Sequence, residues 1–397
     1  MSSVVDKIPE GWVEKTLGEV VTFQRGFDLP KKDRKEGLFP LLVSNGQDGT
    51  HIEYKVKGPG IVTGRSGSLG NVFLSELDFW PLNTTLWIKN FHKNNVKYCY
   101  YFLKTFPFER YNSGSGVPTL NRNHIHPILV KIPKDLQEQK AIAQVLTAFD
   151  DKIENLQAQN QTLETLAQTI FAAWFLPSRQ AGGKYQVGDE LPEGWRVGKL
   201  SEVAKLKSGY AFKSKDFVEE SNFKAIKIKD LKGNGKISLN DISSVSQEIT
   251  KLERVQYFKL NEGDILLAMS GNTTGKIGIM PSSENEIYLN QRVGKFFMKQ
   301  SKYNSFLYNF LMSGSFEEKI LAMGYGSAQP NISPSQIENI DVVYPDDHKM
   351  MEFSNISGPI FKKVLKNTTQ IQSLAKTRDT LLPKLMSGEL RVEGFGG

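Results

Sequence analysis

One cysteine, Cys99, stands in 397 residues. That excludes a disulfide framework and any zinc site built on cysteine pairs. The five histidines, His51, His92, His124, His126 and His348, are scattered, so no histidine metal cage is expected and the metal site is read as none. No apolar run approaches the roughly 18 residues that a membrane span needs. The N-terminal stretch MSSVVDKIPEGW lacks the apolar core of a signal peptide. A cytoplasmic chain with no membrane partner is the expectation. An excess of one charge is nearly missing too. Lys plus Arg is 50 against 43 Asp plus Glu, a net +7. That balance is a weak pointer to nucleic acid, and phosphate binding would need the excess focused on particular faces.

Apolar residues make up 39% and charged residues 23%, the balance of a folded chain. The length predicts two to three domains. Its order is written in a repeat. IPEGW (Ile8 to Trp12), followed by Leu17, Glu19 and Val20, returns as LPEGW (Leu191 to Trp195), followed by Leu200, Glu202 and Val203. The offset is 183, and it also pairs Gly26-Phe27 with Gly209-Tyr210. Deeper in, GIVTGRSGSLGNV (Gly60 to Val72) resembles GDILLAMSGNTTGKI (Gly263 to Ile277), with Ser66-Gly67 on Ser270-Gly271 at offset 204. The stretch Val117 to Pro133 aligns with Gln329 to Pro345 at offset 212. These are two copies of one domain, the second carrying about 29 inserted residues. Each copy reads as mixed α/β. PLLV, GIVTG and ILVKI in the first copy, and AIKI, DILLAM and IDVVY in the second, are strand-like runs. VKYCYYFLK and YNSFLYNFLM have helical apolar spacing. Trp12 and Trp195 are expected in the cores.

Each copy is followed by a heptad pattern. In the first, position a holds Leu146, Ile153, Asn160, Ala167 and Trp174, and d holds Ile142, Phe149, Leu156, Leu163 and Ile170. The second repeats it at offset 211, with d at Phe353, Ile360, Asn367, Leu374 and Leu381, and a at Ser357, Val364, Ile371, Arg378 and Leu385. This second seam is more polar, and Pro359 counts against its first turns. The two helices pack on their own domains or on each other; two partial seams favour the second. Residues 136–175 as one helix would span about 60 Å at 1.5 Å per residue. Asn160, polar at an a position, reads as a register device kept at some cost in stability, so Asn160→Leu is expected to raise the melting temperature. Leu166, Phe171 and Phe175 lie beside the seam and are expected to form an exposed apolar stripe.

Catalytic signatures are missing. The Ser270 to Ile277 segment is like a phosphate-binding loop but has three residues between its glycines, and Ile where a Mg²⁺-binding hydroxyl belongs. Pro345-Asp346-Asp347-His348-Lys349 is a compressed likeness of a nuclease set, better read as a helix N-terminus rich in Asp. No GxSxG, HExxH or kinase signature appears. No catalytic residue is assigned.

The paired xPEGW segments, the paired Ser-Gly loops (Ser66-Gly67 and Ser270-Gly271), the paired heptads and the ending LLPKLMSGEL (Leu381 to Leu390) together resemble the specificity (S) subunit of type I restriction–modification enzymes. The resemblance spans nearly the whole chain. It implies two homologous target-recognition domains of mixed α/β fold, separated by two long antiparallel coiled-coil helices in a pseudo-twofold repeat. The implied division is 1–135 for the first recognition domain, 136–176 for the first helix, 177–190 for a linker, 191–346 for the second recognition domain, 347–390 for the second helix and 391–397 for a tail. The implied role is non-catalytic: reading a bipartite, asymmetric target in double-stranded DNA. Two modification (methyltransferase) subunits and the restriction (motor–nuclease) subunits would dock on the chain. S-adenosylmethionine, ATP and Mg²⁺ would belong to those partners, with no cofactor in this chain. The helix interface would use Ile142, Leu146, Phe149, Ile153, Leu156, Asn160, Leu163, Ile170, Trp174, Ile360, Val364, Ile371, Leu374, Leu381 and Leu385. Candidate DNA contacts in the first domain are Arg65, Ser66, Ser68, Asn83, Thr84, Asn121 and Arg122. In the second they are Lys207, Lys213, Lys215, Ser270, Asn272, Thr273, Lys276, Asn290, Gln291 and Arg292. Arg suits guanine, Asn and Gln suit adenine, and Lys and Ser more often hold phosphate. Each has a plainer reading as a solvated loop side chain. The alternative function is a self-contained tandem DNA-binding protein of another defence system.

Overall fold

The computed structural model describes residues 8–175, 191, 193–300, 303–324, 331–392 and 394. The expected linker 177–190, Pro192, Pro330 and most of the tail lie outside them. The chain divides into two compact units, Met1–Ile153 with Ser373–Gly397, and Glu154–Gln372. Each unit takes part of both long helices.

In the first unit, the opening strand Trp12–Thr16 pairs antiparallel with the closing strand Leu129–Pro133. Between them lies a four-stranded sheet in the order Thr22–Arg25, Thr85–Asn90, Gly60–Gly64, Val72–Ser75. A smaller sheet places Phe39–Val43 between Gly46–His51 and a parallel partner, Trp80–Pro81. The helix Val96–Thr105 starts where Asn95 Oδ1 accepts the Tyr98 N–H at 2.9 Å, an N-cap that meets one orphan donor. Phe23, Ile88, Tyr98 and Leu103 form the core with Ile142 and Leu146 of the first long helix and Leu385 and Met386 of the second.

The second unit repeats this plan. Arg196–Lys199 pairs with Asp341–Tyr344. Its four-stranded sheet runs Ala204–Ser208, Val293–Met298, Ile265–Ala268, Ile277–Ile279, the same order of matched strands. Phe223–Ile226 lies parallel to Glu286–Leu289, as Phe39–Val43 does to Trp80–Pro81. Most of the insertion falls between matched strands, where 227–264 stands against 44–59. It includes the hairpin Leu231–Gly233 and Lys236–Ile237. Trp12 is buried at 6% exposure, but Trp195 is half-buried at the edge of its core, against Phe175.

The long helices are Leu136–Phe175 and Asp347–Ser387. Contrary to expectation, Pro359 does not interrupt the second. It sits on the exposed face, as does Asn355 one turn earlier, whose carbonyl has no N–H to accept from at Pro359. Asp346 accepts the Lys349 N–H at 2.8 Å, so the Asp-rich junction caps a helix.

The helices pair with each other within both units. In the first, Ile142 and Leu146 pack with Leu381 and Leu385, while Asp150 pairs with Arg378. In the second, Asn160 bonds to Val364, Asn367 and Thr368, and Phe171 meets Phe353 edge to face. Rising numbers on one helix meet falling numbers on the other, so the pairing is antiparallel. Three polar seam positions find partners: Ser357 donates to Ser305 at 2.8 Å, Asn367 Nδ2 to Asn160 at 2.9 Å, and Arg378 meets Asp150, while Asn367 Oδ1 is buried without a hydrogen bond.

The expected apolar stripe is corrected. Leu166 is 48% exposed, but Phe171 and Phe175 are buried at 2% and 4%. They enter the second unit's aromatic core, with rings 5.6 and 5.2 Å from Phe306. Seam arithmetic counts contacts between helices only; here a domain covers the neighbouring positions.

Candidate nucleic-acid interface

At one end of each four-stranded sheet, three loops are tied together by matched backbone hydrogen bonds. In the first unit, Gly26 N–H donates to Thr85 O at 3.0 Å and Phe27 N–H to Pro81 O at 2.8 Å. Arg65 N–H donates to Thr84 O at 2.8 Å, Gly67 N–H to Pro118 O at 3.0 Å, and Leu120 N–H to Arg65 O at 2.8 Å. In the second, Gly209 N–H donates to Val293 O at 3.1 Å and Tyr210 N–H to Leu289 O at 2.9 Å. Met269 N–H donates to Arg292 O at 3.1 Å, and Ile332 N–H to Met269 O at 2.9 Å. Ser66 bridges Thr119, and Ser270 bridges Asn331.

Glycine is required at two kinds of position here. A Cβ on Gly26 would stand 2.1 Å from Leu82 O, and one on Gly209 2.3 Å from Leu289 O. No side chain fits so close an approach. Gly67 and Gly271 have φ of +90° and +72°, the left-handed region where a Cβ is strained. The loops are therefore held at the backbone, leaving their side chains free to differ between the copies.

The structure brings Arg65, Ser66, Asn83 and Thr84 together. Arg65 Nη1 donates to the Asn83 main-chain carbonyl at 3.2 Å, and Asn83 Nδ2 donates to Asp28 Oδ1. Ser68 is exposed on the same loop. Thr84 Oγ1 is buried with no hydrogen bond. Asn121 and Arg122 follow directly after Leu120. Asn121 Oδ1 caps a short helix by accepting the Asn123 N–H at 3.0 Å, and Arg122 is exposed.

In the second unit, Asn272, Thr273, Lys276, Asn290, Gln291 and Arg292 share the loop cluster with Ser270. Asn272, Lys276, Gln291 and Arg292 are exposed. Ser270, expected at the surface, is turned inward at 2% exposure, and its hydroxyl and that of Thr273 are buried without a hydrogen bond. Lys207 is not in the cluster. Its Nζ donates to Tyr257 OH at 2.6 Å and lies 4.9 Å from that ring's centre, a cation–π contact on the sheet face. Lys213 and Lys215 lie exposed at a separate turn, Ser214–Asp216, where the Lys213 N–H donates to Asp216 at 2.7 Å.

That turn has a twin at Lys31–Asp33, again at offset 183. Lys31 and Lys32, both exposed, were missed, although the offset already seen in the sequence would have found them. Arg25 and Asp28 were missed as well. Their signal is spatial, since Asp28 meets a residue 55 positions away.

Supporting groups show their surroundings in their acidity. His126 Nε2 accepts the Phe23 N–H at 3.0 Å on the strand leading to Arg25, and burial followed by the nearby Arg122 charge pushes its pKa below the ordinary 6.5. Burial pushes the Asp230 carboxyl up in the inserted segment of the second unit. Among the described residues, no group of three or more His, Cys, Asp or Glu side chains is placed to hold a metal ion. Nor is any helix among them long and apolar enough to cross a membrane.

The family model described as type I restriction modification DNA specificity domain matches twice, over residues 9–165 and 192–373. The chain belongs to this family. The two matches fall on the two copies seen in the sequence. Among curated members, the MjaIX specificity subunit of Methanocaldococcus jannaschii is 29% identical over 329 residues, covering 79% of this chain and 74% of its own. The MjaVIII specificity subunit of the same organism is 26% identical over 413 residues, covering 98% and 95%. The HindI specificity subunit of Haemophilus influenzae is 24% identical over 341 residues, covering 70% and 72%. The crystal structure of a type I restriction–modification S subunit from M. genitalium superposes with a TM-score of 0.62 at 20% identity, over 97% of this chain and 98% of that one. This last likeness bears on the fold alone. The family accounts for a mixed α/β chain built as two homologous domains with long paired helices.

Proposed function

We propose that the chain is the DNA-reading subunit of a type I restriction–modification system, with one half of a bipartite target assigned to each domain. The observation that carries this reading is the pair of matched loop frames. Four of their backbone bonds recur at matched positions, while the side chains on them differ. Arg65 is matched by Met269, Asn83 by Gln291 and Thr84 by Arg292. Identical frames with different side chains suit two different half-sites, and hence an asymmetric target.

In this reading Arg65, Asn83, Asn121, Arg122, Asn272, Gln291 and Arg292 reach base edges. Ser68, Lys213, Lys215 and Lys276 hold phosphate and set position. Ser66, Thr84, Ser270 and Thr273 support the loops from inside. Lys207 acts on its sheet face through Tyr257. The paired helices set the gap between half-sites and carry two modification subunits, to which the restriction subunits add. S-adenosylmethionine, ATP and Mg²⁺ belong to those partners, and this chain performs no reaction of its own.

The test is genome-wide adenine-methylation mapping in a host with and without this chain and its modification subunit. A two-part motif that requires both supports the reading. The same motif without this chain would refute it. Methylation or cleavage by the purified chain alone would refute its non-catalytic part.

A further inference from the structure

Resting on that DNA-reading role, we infer that Asp28 is a positioning residue that orients the Asn83 amide to read one adenine in the first half-site. Asn83 is held twice. Its main-chain carbonyl accepts from Arg65 Nη1 at 3.2 Å, and its Nδ2 donates to Asp28 Oδ1. The second contact decides which way the amide faces. An ionised carboxylate only accepts hydrogen bonds, so the NH₂ end of Asn83 must face it and Oδ1 must point away. Arg25 approaches the same carboxylate oxygen, with Nη2 3.7 Å from Oδ1.

The amide so fixed keeps Oδ1 and one of its two N–H bonds for a ligand. That is the pattern adenine needs in the major groove, where N6 donates and N7 accepts. A flipped amide would present the reverse order. The group is accessible: the side chains of Arg25 and Asp28 are 53% and 71% exposed. The second domain lacks the device. At the matched positions it has Ser208 for Arg25 and Ala211 for Asp28, so no carboxylate orients Gln291 from there. Asp28 itself adds negative charge near the duplex, which makes it a poor phosphate contact and points to a role in discrimination rather than general affinity.

The experiment is selection of a randomised duplex library by the full chain, alone and with co-expressed modification subunits, followed by sequencing. Arg292→Ala marks the half of the motif that belongs to the second domain. In the other half, Asn83→Ala and Asp28→Ala are each expected to reduce the preference for one adenine over guanine by about fivefold or more, with the second half unchanged. Asp28→Asn keeps an acceptor toward Asn83 and should retain most of that preference. A wild-type motif whose first half is unmoved by Asp28→Ala, or whose Asn83-dependent position is not adenine, overturns the inference and leaves the DNA-reading role standing. A wild-type chain that selects no sequence overturns that role and the inference with it.

Discussion

Asn367 Nδ2 donates to Asn160 Oδ1 at 2.9 Å across the antiparallel helix pair. The Asn160 amide donates in turn to Val364 O and Thr368 Oγ1, both at 3.2 Å. Asn367 is wholly buried. One polar layer therefore crosses an otherwise largely apolar seam. From the heptad alone, Asn160→Leu should stabilise the protein. The pairing reverses that sign, because an apolar side chain in place of Asn160 would strand the buried Asn367 amide at a cost of about 1–3 kcal/mol. Asn160→Leu should lower the melting temperature by several degrees, and Asn160→Leu with Asn367→Leu should recover the loss. Calorimetry of the two variants checks this; a more stable single variant would remove the layer's importance.

In the first unit, Arg378 meets Asp150, whose other oxygen accepts from Tyr101 OH at 2.7 Å. Arg378 and Asp150 side chains are 19% and 30% exposed. Arg378 also pairs with Asp379 at 2.7 Å, so Asp150→Ala leaves the guanidinium one counter-charge and should cost about 1 kcal/mol. A double-mutant cycle with Arg378→Ala should return a coupling near 1 kcal/mol or more. Additive single effects would show that the pair contributes nothing.

His126 makes the first unit sensitive to acid. Its pKa is depressed below 6.5 by burial and by Arg122, so the unfolded chain takes up the proton more readily than the folded one. This contribution to stability is full above pH 6.5 and declines as pH falls through 6.5 toward the folded value. Protonation also removes the acceptor for the Phe23 N–H. Urea midpoints measured from about pH 8 down to about pH 5 should fall in that window, and His126→Gln should flatten the fall. An unchanged slope would place the acid sensitivity elsewhere.

The proposed spacing role of the helices has its own test. One heptad inserted after Leu156 and one near Asn367 preserves register. It adds about 10.5 Å at 1.5 Å per residue. That equals at most about three base pairs at about 3.4 Å each. The rotation of one half-site by about 100° must be absorbed by DNA twist or bend. The mapped gap should lengthen by one to three pairs with weaker activity. An unchanged gap with full activity would assign the spacing to the domains.

Much of this was legible because it is local. The a and d positions of Ile142 to Trp174 mark one face of a helix, and Leu136–Phe175 follows from it. Gly and Pro bracket Gly60–Gly64 and Leu129–Pro133 as strands. What stayed hidden depends on distant partners. Asn367 and Arg378 look like seam defects until Asn160 and Asp150 face them. Phe171 reads as exposed until Phe306 and Phe353 cover it. Ser270 reads as an exposed loop hydroxyl, yet the folded domain buries it to 2% exposure. Asp28 carries no local signal at all, since its meaning comes from Asn83.

In the proposed function each domain reads its own half of one target. Methylation mapping of hosts carrying the wild-type chain, Asn83→Ala or Arg292→Ala, each with the modification subunit, tests it most directly. The expected result is a two-part wild-type motif, relaxed in one half only by Asn83→Ala and in the other half only by Arg292→Ala. A single undivided motif, or one variant relaxing both halves, would contradict it.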